Sequence, residues 1–378
     1  VNYRFLKSIA DISPIVWNAV TGTDYPFLRH EFLLALEVSD SVGVNRGWQP
    51  SHLIVEDNKN VLAVLPLYIK THSYGEYVFD WSWADAYHRE GLEYYPKLLA
   101  AIPFTPAAGT RLATVLDDVS VLQPLLHRAL DEKVKMLGAS GWHTLFPQQQ
   151  ELSLWKIDDA CLRLGCQFHW YNKSYTHFDN FLATFTSRKR KDVKKERRLI
   201  AEQGIQVQRF VGNDITVEHW QIFYYFYQIT YAKKSGHGGY LTPEFFLHLH
   251  SSMPEQLLLV MAYKDDKPIA AALNLFSSDT LYGRYWGASE DIAGLHFEVC
   301  YYQGIEFCIE KNLRRFDAGA QGEHKIQRGF EPTITYSFHK LAHQGFHRAI
   351  KSFVQQETID IKSYACDVAL LLPFKQSN

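Results

Sequence analysis

This chain is written twice. Residues 30–37 read HEFLLALE and residues 243–250 read PEFFLHLH, each a Glu-Phe pair followed by apolar residues at helical spacing. Trp17 lies in a helix-like stretch ahead of the first (DISPIVWNAV), and Trp220 in another ahead of the second (DITVEHWQIF). Downstream, HLIVEDNKNVLAVLPLYIK (52–70) and QLLLVMAYKDDKPIAAALNLF (256–276) each read as strand, polar turn and strand. YVFDWSWADA (77–86) then parallels YGRYWGASED (282–291), with Trp81 in step with Trp286. Glu93-Tyr-Tyr and Glu298-Val-Cys-Tyr-Tyr open apolar helix-like runs, and FTPAAG (104–109) parallels FDAGAQG (316–322). The offset stays at roughly 205 residues through most of this order.

A chain of 378 residues, 47% of them hydrophobic, has enough apolar surface for two cores of ordinary size. The repeat therefore predicts two domains of one kind, residues 1–172 and 173–378. Each reads strand, two helices, antiparallel strands, helix, strand, then more helix and strand. The class is α/β (α+β), a mixed central sheet flanked by helices.

Bulk charge excludes little, because a net charge of −2 exerts no global pull on nucleic acid or membrane. The five cysteines, Cys161, Cys166, Cys300, Cys308 and Cys366, show no metal-site spacing and read as reduced thiols. With no signal-peptide pattern at VNYRFLKSIADISP and no apolar run long enough for a transmembrane segment, a cytoplasmic protein is expected.

The element order resembles the GNAT acyltransferase fold, and two copies in tandem resemble the FemAB-like group. SYGEYVFDWSWADAYHR (73–89), HFEVCYYQGIEFC (296–308) and GAQGEHKIQRGF (319–330) carry that resemblance, with the basic segment SRKRKDVKKERRLIAEQGIQVQRF (187–210). It implies two tandem GNAT-like domains, the second opening with a basic helix at 187–203. It also implies transfer of an aminoacyl or acyl group to an amine, with aminoacyl-tRNA as donor and a cell-wall peptide precursor as acceptor. Acyl-CoA is the alternative donor, although GASEDIAGLHFE (287–298) lacks the glycine loop that cradles its pyrophosphate and is acidic there. Neither reading calls for a tightly bound cofactor or a catalytic metal. A third reading is a non-catalytic module that recognises a cell-wall precursor or RNA.

The candidate residues follow from local chemistry. From Arg188 to Arg198, eight of eleven residues are Lys or Arg. On a helix, Arg190, Lys191, Lys194, Arg197 and Arg198 share a cationic face opposite Val193 and Ile200. That face suits phosphates of tRNA or a carrier, or else is a solvated charged surface. The run RRFDAG reads as a core strand ending at Asp317, and ligands gather beyond strand ends in α/β sheets. Asp317, Gln321, Glu323, His324, Lys325 and Arg328 would then line a cleft mouth. Asp317 or His324 would serve as base, with Gln321, Lys325 or Arg328 positioning substrate or stabilising charge; alternatively the polar residues are loop surface. Glu298 points inward on a late helix and needs a partner, with Arg284 or His324 in reach, and the neighbouring Tyr285 joins that substrate face. In the first half, Asp80, Trp81, Trp83, Asp85, His88 and Arg89 form an acceptor pocket or, alternatively, plain aromatic core, with a strand expected there. KSGHGGYL (234–241) reads as a loop, possible lid included.

Overall fold

A computed structural model of the protein describes residues 1–375 apart from Asp158, His237 and Gln321. The chain divides into two compact units, Val1–Cys166 with Ile334–Tyr364, and Gln167–Thr333 with Ala365–Asn378.

The first unit begins β1 (Asn2–Leu6), α1 (Pro14–Thr21), α2 (His30–Val38) and β2 (Trp48–Pro50). Ser13 caps α1 by accepting from the Ile15 amide, Pro14 occupies its first turn and Gly22 ends it at φ 68°. Strands β3 (His52–Asp57) and β4 (Asn60–Leu65) form a hairpin through Asn58 and Lys59, both at positive φ, the two-residue turn that matches strand twist. Then come β5 (Tyr68–Lys70), α3 (Trp81–Arg89), β6 (Lys97–Ala100), β7 (Ala113–Thr114), α4 (Gln123–Leu137), β8 (Gly141–Leu145) and α5 (Leu152–Trp155). β6 and β8 are parallel, with Leu99 opposite His143. Leu53, Leu98, Leu126, Leu130, Trp142 and Trp155 sit in the core of this unit.

Strand β9 (Cys161–Tyr171) leads into the second unit. There α6 (Phe178–Ala183), α7 (Ser187–Glu202), β10 (Ile205–Val211), α8 (Val217–Ser235) and α9 (Pro243–Ser252) precede β11 (Leu257–Lys264), β12 (Lys267–Phe276) and β13 (Thr280–Ala288). The β11–β12 turn uses Asp265 and Asp266 at positive φ, the same device as in the first unit. A late helical run follows as α10 (Leu295–Phe297), a π turn (Glu298–Tyr302) and α11 (Gln303–Glu310), and then β14 (Arg315–Asp317). The strand order in this unit is β10-β11-β12-β13-β14-β9, with β13 parallel to β14. Finally β15 (Glu331–Leu341) and α12 (Gln344–Ala369) carry the chain back, and the Ser337–Leu341 part of β15 pairs with β8.

Both units thus hold a parallel strand pair edged by an antiparallel strand, the GNAT-like arrangement. The antiparallel edge is exchanged along the chain. The strand after β8 pairs with β14, and the strand after β14 pairs with β8. Residues 334–364 accordingly group with the first unit, although they lie far beyond residue 173.

Three matched pieces of the repeat are corrected. YVFDWSWADA does not continue as a strand, since Trp81–Arg89 is helical. Its buried residues, Trp83 and Tyr87, are four apart and share one helical face. Glu93-Tyr-Tyr opens no helix, because Pro96 follows and β6 begins at Lys97. FTPAAG is no counterpart of FDAGAQG, because the strand parallel to β6 is β8. Among the described residues no helix is long and apolar enough to cross a membrane.

Candidate functional site

In the second unit β13 and β14 run side by side only from Thr280/Arg315 to Tyr282/Asp317. β13 continues to Ala288, still paired with β12, while the chain after Asp317 turns away. The two strands therefore part beyond Gly283 and Asp317. The packing at Gly283 is close, since a Cβ there would lie 3.2 Å from Asn274 Oδ1 and Phe316 Cε2.

Asp317 is the buried anion of this fork. Its Oδ2 accepts from Arg284 Nη2 at 3.1 Å, and its Oδ1 accepts from the Gly319 amide at 3.0 Å. His169 Nε2, on β9, lies 3.8 Å from Oδ1. Burial works against the carboxylate, but the Arg284 charge, with His169 and the Gly319 amide, holds it well below the usual carboxylate range. Asp317 is thus held as the anionic partner of Arg284. His169 is pushed down to about 4 by burial, so it is neutral at physiological pH. Lys325 is buried, donates to the Gly319 carbonyl at 2.6 Å and is lowered to about 8, mainly by burial.

His324 is exposed, and its Nε2 lies 2.8 Å from Tyr301 Oη on the π turn. π turns put one extra residue into a helix and cluster at functional sites. This one also carries Glu298, but neither Arg284 nor His324 is its partner. Arg197 of the basic helix grips it, Nη2 to Oε1 at 2.9 Å and Nε to Oε2 at 3.0 Å, and reaches Glu306 at 2.6 Å. Gln303 also donates to Glu298 at 2.8 Å. Glu298 is thus a tethering carboxylate, and Arg197 is committed inward.

The basic helix forms as expected, with Val193 and Ile200 buried. Its charges divide. Arg197 is tied down, Lys194 meets Asp179 at 3.1 Å, and Arg198 meets Glu202 at 3.3 Å on the surface. Arg190 and Lys191 have no ion-pair partner among the described residues. Beside this helix lies a cleft of about 420 Å³ lined by Lys189, Lys195, Glu196, Tyr302, Gln327 and Arg328. Arg328 spans its wall, bonding Glu196 at 2.6 Å and the His324 carbonyl at 2.7 Å, with its guanidinium 3.2 Å from the Phe297 ring centroid. Tyr285 is buried against Tyr227 and Phe246. Gln321 lies outside the described residues, as does His237 of the expected loop at 234–241.

In the first unit the expected pocket residues separate. Asp85 and Arg89 form an exposed i,i+4 pair at 3.0 Å, and His88 and Trp81 are exposed beside them. Trp83 is buried, its ring 4.9 Å from that of His339. Asp80 is buried in a network absent from the sequence reading. Lys97 donates to Glu76 Oε2 and Ser73 Oγ, both at 2.8 Å, and to Asp80, while Tyr94 donates to Asp80 at 2.7 Å. A lone lysine heading the apolar run KLLAAI was the available signal, since a buried ammonium needs carboxylates. Glu196, Arg197's inward role, Tyr301 and His169 were likewise not singled out as site residues, their partners being distant in sequence. Among the described residues no group of three or more His, Cys, Asp and Glu is placed to hold a metal ion.

A profile of the FemAB-like family, described as peptidoglycan biosynthesis/recognition, matches residues 8–376. Solved structures with the same fold include FemX, at 12% identity and TM-score 0.51, covering 90% of this chain and 98% of that one. L-PGS from Bacillus licheniformis matches at 10% identity and TM-score 0.51, over 86% and 96% of the two chains. A conserved protein of unknown function from Bacteroides thetaiotaomicron matches at 12% identity and TM-score 0.52, over 89% and 98%. No curated protein matches the sequence.

Proposed function

The chain belongs to the FemAB-like family, and on that premise we propose that it is an N-acyl or aminoacyl transferase whose reacting centre is the strand fork of the second unit. The observation that carries the reading is the buried Asp317–Arg284 pair at one strand end, joined through Gly319 to Lys325, with the accessible His324 next in the chain and set on Tyr301. The family description supports a cell-wall peptide precursor as the amine-bearing acceptor.

His324 acts as base, with Tyr301 fixing its ring. The acceptor nitrogen attacks the carbonyl carbon of the donor ester, and His324 takes the proton that the nitrogen sheds. Lys325, still mostly protonated at neutral pH, stabilises the oxyanion of the tetrahedral intermediate. Collapse expels the donor's ribose oxygen, which takes up the proton. Asp317 and Glu298 are positioning residues, one for Arg284 and the Gly319 amide, the other for the basic helix. Arg190, Lys191 and the cleft lysines Lys189 and Lys195 contact the phosphates of aminoacyl-tRNA.

The test is equilibrium binding of mixed aminoacyl-tRNA at two salt concentrations, with acyl-CoA titrated in parallel. Aminoacyl-tRNA binding that weakens steeply with salt, and is lost in an Arg190→Glu/Lys191→Glu variant, supports the assignment. Acyl-CoA binding without tRNA binding moves the donor to the thioester class. Binding of precursor without turnover by either donor overturns the enzyme reading in favour of a recognition module.

A further inference from the structure

The first unit holds a larger cavity that the transfer reaction does not use. It measures about 670 Å³, within the range of small-molecule sites. Its walls are the last turn of α4, the start of β8, the end of β15 and the first turns of α12. It therefore lies at the Gly141 end of β8, whereas the Ala100/Thr144 end is where the parallel pair with β6 stops.

The charge in this cavity is one-sided. Lys135, Lys340, Arg348 and Lys351 line it, against Asp131 and Asp159. Asp131 is already used, because its Oδ1 accepts from Trp142 Nε1 at 3.0 Å and its Oδ2 from Lys340 Nζ at 2.8 Å. Lys135, Arg348 and Lys351 line the cavity with Asp159. Lys135 and Arg348 have no ion-pair partner among the described residues. His347, Arg348 and Lys351 recur at helical spacing on α12 and so share a face, and the positive end of that helix opens onto the cavity at Gln344. His347, partly buried there, is pushed down first by burial and then by Lys351. The floor is apolar, made by Val134, Ala139, Trp142 and Leu341.

A cationic rim over an apolar floor fits an anion attached to an apolar or planar body. We infer that this cavity binds a phosphate monoester of nucleotide size, its phosphate held by Arg348 and Lys135 and its body against the floor. The site is independent of the transfer reading, since none of its residues belongs to the second unit.

The probe is adenosine monophosphate, titrated calorimetrically into the full chain, with adenosine and inorganic phosphate as partial ligands and phosphatidic-acid vesicles as a lipid source of the same group. Adenosine monophosphate should bind at least about tenfold more tightly than either partial ligand, as expected when one charge-assisted contact adds about 1.4 kcal/mol or more. It should also slow amide hydrogen exchange at 344–351. Arg348→Glu with Lys135→Glu should abolish binding, and Arg348→Gln should weaken it roughly tenfold. Both positions are exposed, so an unchanged thermal melt is expected and separates lost binding from lost fold. Binding of vesicles alone, lost in the same variants, keeps the site and moves its ligand to a lipid headgroup. Absence of binding by every probe, or binding indifferent to the double charge reversal, overturns the proposal.

Discussion

Each unit buries a lysine among acidic groups beside its parallel strand pair, and the two lysines behave oppositely. Lys97 has three side-chain acceptors, and Glu76 and Asp80 together outweigh burial, raising its basicity above the ordinary lysine value. Lys325 has one carbonyl acceptor among the described residues and is lowered to about 8, because burial outweighs the attraction of Asp317, itself already paired with Arg284. A lysine whose cation is fully solvated by protein is a structural member. One whose charge is only half supported can release a proton near neutral pH and is suited to chemistry. Lys97 thus sits in a closed cluster and Lys325 in an open one, while Lys70, buried 3.8 Å from Glu76 in the first unit, is itself lowered to about 7, first by burial.

The contrast breaks most completely if the first unit is denied its exchanged strand. A chain ending at Thr333 removes Ile334–Tyr364 from that unit, leaving β8 without Ser337–Leu341 and the core without Ile350 and Val354. The expected outcome is loss of all slowly exchanging amides in β6 and β8, measured by hydrogen exchange, while β11 and β12 keep theirs. Protected β8 amides in that truncation would show the exchanged strand to be dispensable.

Catalysis separates the clusters next. His324→Ala should lower kcat by roughly 10²–10⁴-fold with an unchanged melting profile, as for loss of a general base. Lys97→Met should instead act on stability. It takes the ammonium from buried Asp80 and leaves Glu76 only Lys70 at 3.8 Å, and should cost about 3–5 kcal/mol in urea titrations. A Lys97→Met protein as stable as the parent would mean that the closed cluster is no structural cluster at all.

What was legible in the sequence divides along the same line of local against distant. The hairpins at 52–65 and 257–276 were legible because two-residue turns and alternating apolar residues are local signals. The basic helix was legible because Val193 and Ile200 fall seven apart. The helix at Trp81–Arg89 reads locally as a strand, since F-D-W-S-W (79–83) alternates in polarity as a strand would, and only the Trp83 and Tyr87 spacing betrays the helix. The strand exchange was not legible, because antiparallel partners far apart in sequence leave no local trace. The density of Asp317, His324, Lys325 and Arg328 after a strand was legible. Their partners were not. Arg284 was read toward Glu298 but holds Asp317, and Glu298 is held by a residue on α7.

The lysine of the open cluster can be read by pH. In the folded chain Lys325 loses its proton near pH 8, while unfolded it keeps it to about 10.5. Between those values the unfolded state binds more protons, so this group makes stability rise with pH across the window and is at its most costly below it. From pH 7.5 to 9.5 the gain should be roughly 2 kcal/mol relative to Lys325→Met, compared in urea titrations at both pH values. Parallel curves for parent and variant would place Lys325 in the same class as Lys97.

The smallest effect belongs to a pair that only looked functional. Asp85 and Arg89 are both more than half exposed, and their 3.0 Å contact spans one helical turn. Such pairs contribute about 0.3–0.5 kcal/mol and are screened by salt. Asp85→Asn should therefore shift stability by no more than that, and less as salt is added, with acceptor affinity unchanged. Weakened acceptor binding in Asp85→Asn would return this face of α3 to the substrate site and would mean that the closed cluster beneath it, through Asp80, supports a binding surface rather than the core alone.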